Sequence, residues 1–224
     1  MNWNAWQPTY RQILADFGWS EDDDRQAAHV LASHLGKDMW KHVGTELKHR
    51  PRVVVVGCAP ALEDLRAADL PQGVVVAADG AATRLMELGV VPRVVVTDLD
   101  GHPDGLRWAA SQGASMVVHA HGDNATRLAM VEELGPLVAG SYQCSPDAAL
   151  TSLRNLGGFT DGDRAVLLCE HYQVREVVLV AFDTTATPSR YSHHYDPATK
   201  ARKLAWCDRI LDEARRRGVR ITVS

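Results

Sequence analysis

The feature that most constrains this chain is a recurring set of short, uninterrupted β-branched runs at 53–56, 74–77, 94–96, 116–118 and 177–180, nearly all valine. A strand with one face in water alternates apolar and polar residues. Runs without alternation belong to strands buried on both faces, as in a parallel sheet covered by helices. Between the runs lie helical stretches at 62–68, 81–88, 105–112 and 124–134, the last three closed by Gly89, Gly113 and Gly135. Strand–helix alternation implies right-handed crossovers, so the pattern predicts an α/β fold: a three-layer, Rossmann-like, mostly parallel sheet.

The two ends of the chain read differently. Over 3–17, Trp6, Tyr10, Ile13, Leu14 and Phe17 recur at helical spacing. Ser20 then precedes Asp22, Asp23 and Asp24, a hydroxyl cap followed by first-turn acids, and the apolar positions continue to Leu35 before Gly36. These elements predict a small N-terminal helical cap over 1–50, on an α/β catalytic domain over 51–224. Their apolar stripes, taken as exposed, make a homodimer an expectation. Further helices are expected at 163–172 and 197–217, the latter with Asp196 as cap, Pro197 in first position and Gly218 after an arginine run, then an edge strand at 219–223.

Composition narrows the function classes. The formal charge is -4 over 224 residues and no long run of one sign occurs, which argues against nucleic-acid and membrane-surface binding. Cys58, Cys144, Cys169 and Cys207 contain no CxxC pair, so they read as scattered thiols of a reducing compartment, not as a zinc site or disulfide framework. No apolar run approaches the roughly 18 residues of a membrane span. A cytoplasmic enzyme acting on small molecules is the expectation.

Ligands of open α/β sheets bind beyond the carboxyl ends of the strands. There the chain places Asp79 and Gly80, then Asp98, Leu99, Asp100 and Gly101, then His119, His121, Asp123 and Asn124, and finally Asp183. Asp183 alone is an ordinary helix cap. Carboxylates crowded together repel unless a cation sits among them, and hard oxygen ligands suit Mg²⁺. Asp98 and Asp100 would both face the ion if the strand runs on through Leu99, with Asp79 and Asp123 as further ligands.

Other candidates are loops and cations. Gly57-x-x-Pro60 is a tight turn and only weakly a phosphate loop. Gly157 to Arg164 is richer: Thr160 and Asp163 form a capping box, so the amides of Thr160 to Gly162 would head a helix as an anion site, while Asp161 is suited to a heterocycle's nitrogens. The connection at 184–196, with Arg190, Tyr191, His193, His194 and Tyr195, is long enough for a lid. Lys200, Arg202 and Lys203 occupy the start of the last helix, where cations are disfavoured unless an anion compensates. Lys200 and Lys203 are spaced to share a face; Arg202 reads equally well as solvated surface. His119 and His121 with Asp123 also permit a zinc hydrolase.

The motifs Val-Val-Gly-x-x-Pro-x-Leu (55–62), Ala-Asp-Gly-Ala (78–81), Thr-Asp-Leu-Asp-Gly (97–101), His-Ala-His-Gly-Asp-Asn (119–124) and Gly-Gly-Phe-Thr-Asp-Gly-Asp-Arg-Ala (157–165) resemble the archaeal 6-hydroxymethyl-7,8-dihydropterin pyrophosphokinase (MptE-like) family. The resemblance spans nearly the whole chain. It implies a fold related to the thiamin pyrophosphokinase catalytic domain, ATP as co-substrate, Mg²⁺, AMP as coproduct, and a place in tetrahydromethanopterin or folate biosynthesis. By motif, Asp98 and Asp100 would be the paired metal aspartates, with Asp79 and Asp123 beside them; Cys58 and Ala61 depart from the family's first loop.

On this reading Asp98, Asp100 and Asp123 are catalytic. Arg190, His193, Lys200, Lys203, Thr160 and Gly162 contact the nucleotide, and Asp79, Gly80, Asn124, Asp161, Asp163 and Arg164 contact the pterin. The alternatives are a thiamin-type pyrophosphokinase with another hydroxymethyl acceptor, or a noncatalytic nucleotide-binding or glycan-assembly accessory module.

Overall fold

The computed structural model describes residues 2–192 and 196–224. Eight strands form one sheet in the order β6-β5-β4-β3-β2-β1-β7-β8, and every pairing is parallel. Five are the valine-rich runs: β1 (Val53–Val56), β2 (Val74–Ala78), β3 (Val94–Thr97), β4 (Ser115–Ala120) and β7 (Val177–Val180). All but the first residues of β2 are buried, which is why their sequences do not alternate. β1 is paired with β2 through Val53↔Val74 and with β7 through Val53↔Val177, so these three strands finish at one level.

Three elements escape the sequence pattern. β5 (Val138–Tyr142) and β6 (Leu153–Arg154) carry few branched residues. β5 holds Gly140 because a Cβ there would come within 2.6 Å of Leu35 and 3.2 Å of Leu31. Helix α3 (Trp40–Leu47) is only eight residues long, and its Gly44 lies against the Tyr172 ring. The segment expected as one helix over 124–134 is instead two 3-10 stretches, Gly122–Asn124 and Leu128–Leu134. The Asn124 side chain bridges β4 and the segment after β3, donating to the His119 and Asp98 carbonyls.

The helix expected over 62–68 is cut short to α4 (Ala61–Asp64), followed by a separate 3-10 turn at Ala67–Asp69. The remaining helices follow expectation: α1 (Trp3–Phe17), α2 (Glu21–His34), α5 (Ala81–Glu87), α6 (Pro103–Ser111), α7 (Asp161–His171) and α8 (Pro197–Arg216), with β8 (Ile221–Val223) at the edge. Helices flank the sheet, with α7 crossing β1, β2 and β3 and resting on α8.

The N-terminal stripes are not exposed. Trp6, Tyr10, Ile13, Leu31 and Trp40 are buried in the same core as the strands, which removes the reason for expecting a homodimer. The buried indoles keep their hydrogen bonds: Trp6 donates to the Gln143 carbonyl (3.3 Å) and Trp40 to the Gly140 carbonyl (3.1 Å). No described helix is long and apolar enough to cross a membrane.

Candidate active site

A cleft opens where the strand order reverses, between β1 and β7, the position at which open α/β sheets bind ligands. Its walls are the segments after four strands (57–59, 78–80, Asp98 with Asp100, and 181–183), together with 159–162 and the Lys200, Lys203, Leu204 and Cys207 face of α8. Asp79 (φ 40°), Leu99 (φ 66°) and Ala181 (φ 50°) take left-handed backbone conformations just past their strands. Strain of this kind in non-glycine residues clusters at functional sites.

β3 ends at Thr97 instead of running on through Leu99. Thr97 Oγ1 accepts the Leu99 amide (2.8 Å), and Leu99 turns inward to 3% exposure. Asp98 and Asp100 therefore both reach the cleft through a turn, and the expected strand alternation is not the cause. Asp79 receives a hydrogen bond from Thr97 Oγ1. Gly101 is required beside it, since a Cβ there would meet the Asp79 carboxylate, 2.8 Å from its Cγ.

One carboxylate oxygen from each of Asp79, Asp98 and Asp161 lies within 4.8 Å of the others. Burial, then the charges of Asp100 and Asp98, pushes the Asp79 carboxyl well above the usual range; burial, then Asp98, Asp79 and Asp100, does the same to Asp161. Burial opposes ionisation of Asp98 too, but the hydrogen bond and charge of His121 outweigh it and hold that carboxyl well below the usual range. His121 Nε2 is 3.1 Å from Asp98 Oδ2. Among the described residues Asp161 Oδ1 has no hydrogen-bond partner. An orphaned buried oxygen in a group of hard, mutually repelling donors fits Mg²⁺.

A model of the 6-hydroxymethylpterin diphosphokinase MptE-like family matches residues 31–188. The chain belongs to this family. It is 40% identical to a Pyrococcus furiosus protein named 6-hydroxymethyl-7,8-dihydropterin pyrophosphokinase, over 97% of this chain and 96% of that one. Proteins of the same name from Methanothermobacter thermautotrophicus (36% identical, 97% of each chain) and Methanocaldococcus jannaschii (31% identical, 86% of this chain and 84% of the other) are also similar.

In this MptE-like chain several candidate site residues lie elsewhere than the sequence suggested. Asp161, expected at the heterocycle, stands with Asp79 and Asp98. Asp123, expected at the metal, is exposed and outside that group. Asp163, expected at the pterin, is fully buried: its Oδ1 accepts the Phe159 amide (2.6 Å), and its Oδ2 the Thr160 amide and hydroxyl (both 2.8 Å). This is the capping box closed from inside. Arg164 also turns inward, donating to Gln143 Oε1 (2.8 Å) and the Phe159 carbonyl (3.1 Å). Asn124 is a buried strut, donating to the carbonyls of Asp98 (2.8 Å) and His119 (2.7 Å). A substrate contact through the Asp163 carboxylate or the Asn124 amide would compete with these bonds.

Asp183, expected as a helix cap, heads no helix and instead closes a loop turn by accepting the Thr185 amide (2.8 Å). Thr160, Gly162, Gly80, Lys200 and Lys203 line the cleft. Lys203 lies 5.4 Å from the Trp19 ring centroid; burial lowers its pKa, against the upward pull of Asp98 and Asp100. Lys200 donates to Ser192 Oγ (3.1 Å). Arg202 is surface, bonded to Asp16 and 4.5 Å over Phe17. Arg190 is exposed outside the cleft, stacked on Tyr191 (4.9 Å), and His193 lies outside the described residues.

The connection expected as a lid is docked through its described part. Ser189 donates its amide to the Cys58 carbonyl (2.9 Å), and the Tyr191 backbone rests on Gly80 so closely that a Cβ there would collide with it. The zinc reading fails on geometry. The metal-competent group among the described residues is all carboxylate, and His119 is buried with Nδ1 on Ser141 Oγ (3.0 Å).

Sequence reasoning missed His121 as the partner of Asp98, and Phe182. That ring lines the cleft between two glycines: a Cβ on Gly162 would lie 2.6 Å from it, and one on Gly57 2.8 Å. The adjacent signals were the glycines themselves.

Proposed function

We propose that this chain transfers the diphosphate of ATP to the hydroxymethyl oxygen of 6-hydroxymethyl-7,8-dihydropterin, releasing AMP, the activity named for its relatives. The observation that carries the reading is the convergence of Asp79, Asp98 and Asp161 at the switch-point cleft, with an Asp161 oxygen that has no partner among the described residues. These three, with Asp100 alongside, would hold Mg²⁺, a Lewis acid that offsets phosphate charge. Lys200 and Lys203, on one wall, are suited to the polyphosphate. Phe159 and Phe182, on the cleft's apolar side, are suited to a planar heterocycle.

The substrate oxygen forms its bond to the β-phosphorus as the bond from that phosphorus to the oxygen bridging to the α-phosphate breaks. AMP leaves with the bridging oxygen and the hydroxyl proton passes to solvent. The acceleration is positioning and electrostatics, since a loose phosphoryl transition state needs no strong base. A cytosolic place of action accords with cysteines that are all free among the described residues.

The test is incubation with ATP, Mg²⁺ and a panel of hydroxymethyl heterocycles including a thiamin-type acceptor, reading AMP and product by mass spectrometry. Stoichiometric AMP and pterin diphosphate from the wild type, with at least a hundred-fold loss in Asp98→Asn, about 2.7 kcal/mol of barrier, is the expected result. Turnover of another acceptor alone, or none of any, overturns it.

A further inference from the structure

Asp24 lies on α2, behind the cleft and outside the segment matched by the family model, and is 4% exposed. A buried carboxylate without a cation is costly unless donors surround it. Three elements supply them: the Tyr10 hydroxyl of α1 (2.7 Å) and the Gln143 side-chain amide after β5 (2.8 Å) reach Oδ2, and the Gly122 amide after β4 (2.8 Å) reaches Oδ1. α2 also sits hard against that loop, because a Cβ on Gly122 would lie 2.9 Å from Asp23 Cβ.

Both arms lead to the carboxylates. Gly122 follows His121, whose ring holds Asp98. Gln143, having turned its NH₂ to Asp24, presents its carbonyl to Arg164 Nη2 (2.8 Å), and the same nitrogen binds the Phe159 carbonyl at the head of the loop that carries Asp161. The direction of the chain of bonds is forced: Asp24 can only accept and Arg164 can only donate, so the amide between them has one permitted orientation. We propose that Asp24 is a positioning residue, which from behind the cleft holds Asp98 and Asp161 at the spacing that would bind the metal ion. This rests on the metal-site reading above.

Asp24→Asn keeps an acceptor for Gly122 but sets one amide NH₂ against another at Gln143; flipping Gln143 moves the conflict to Arg164. Exchanging the pair, Asp24→Asn with Gln143→Glu, restores a partner for every atom of this chain of bonds except the Tyr10 hydroxyl hydrogen, which loses its acceptor. The carboxylate now at position 143 accepts both from the amide now at position 24 and from Arg164, and the Tyr10 oxygen can accept the amide's second hydrogen. The experiment is Mn²⁺ titration by electron paramagnetic resonance without ATP or pterin, alongside kcat and acceptor KM. The single variant should bind Mn²⁺ at least about ten-fold more weakly and lose kcat with acceptor KM little changed, and the exchange should recover to within about three-fold of wild type. Wild-type Mn²⁺ affinity in the single variant, or an exchange no better than the single variant, overturns the inference. If the single variant does not fold, the exchange alone decides, near wild-type affinity supporting and a loss of about ten-fold or more refuting. A wild type that binds no Mn²⁺ removes the metal site itself, and this inference with it.

Discussion

Replacing Asp161 by Asn should make the metal-free protein more stable while abolishing its response to magnesium. The two side chains are nearly isosteric, so the change is one of charge. At the 4.8 Å that bounds the three oxygens, a pair of unit charges repels by about 3 kcal/mol at an effective dielectric near 20. Because Asp161 retains its proton to a higher pH than usual, the gain near neutrality is a fraction of that, about 1 to 2 kcal/mol. The pH dependence follows from the direction of the shift. A carboxyl whose folded pKa is raised stabilises the fold below its unfolded value, about pH 4, and that contribution is lost as pH rises through the folded value. Metal-free wild type should therefore fall behind the variant progressively as the pH rises from about 4 through the raised folded value. Magnesium at a hundred times its Kd adds about 2.7 kcal/mol to a protein that binds it only when folded. In a chain of 224 residues that is about 5 to 11 °C of Tm. Thermal melts of both proteins across this pH range, in chelator and in excess magnesium, provide the assay. An Asp161→Asn variant that melts with wild type in chelator and keeps the full magnesium shift would refute the convergence of charge at this site.

Two other substitutions test the surrounding structure. Gly101→Ala places a methyl against the Asp79 carboxylate and should weaken Mn²⁺ binding by about ten-fold or more with the circular dichroism spectrum intact; unchanged affinity would show that Asp79 has room to move. Leu31→Ala, in the fully buried contact between α2 and Gly140 of β5, should cost about 3 kcal/mol in urea unfolding, and a loss below about 1 kcal/mol would mean that the N-terminal helices are only loosely part of the core.

The metal-site reading also makes the left-handed residues intelligible. Asp79 and Leu99 bend the chain within two residues of their strand ends, which brings carboxylates from β2 and β3 to one point and opens space for the loop bearing Asp161. Arg164 and Asp163, just beyond it, face the interior and hold that loop from behind. The site is thus a thin layer of acids over a buried polar network anchored on the N-terminal helices.

What was legible in the sequence is what local chemistry dictates. Strands buried on both faces must be apolar throughout, so the valine runs located β1, β2, β3, β4 and β7, and caps such as Ser20, Thr160 and Asp196 marked helix starts because unpaired amides need an acceptor. The carboxylates beyond those strands were visible for the same reason. Tertiary structure alone decided which acids meet. Asp79, Asp98 and Asp161 are far apart in sequence, and whether a side chain past a strand end faces the cleft or the core depends on loop dihedrals such as φ 66° at Leu99 and on which neighbours fill the space beneath. Asp161 and Asp163, two residues apart on one capped turn, show the consequence: the first joins the acidic group and the second closes the helix cap, a division set by non-local contacts and not by residue type.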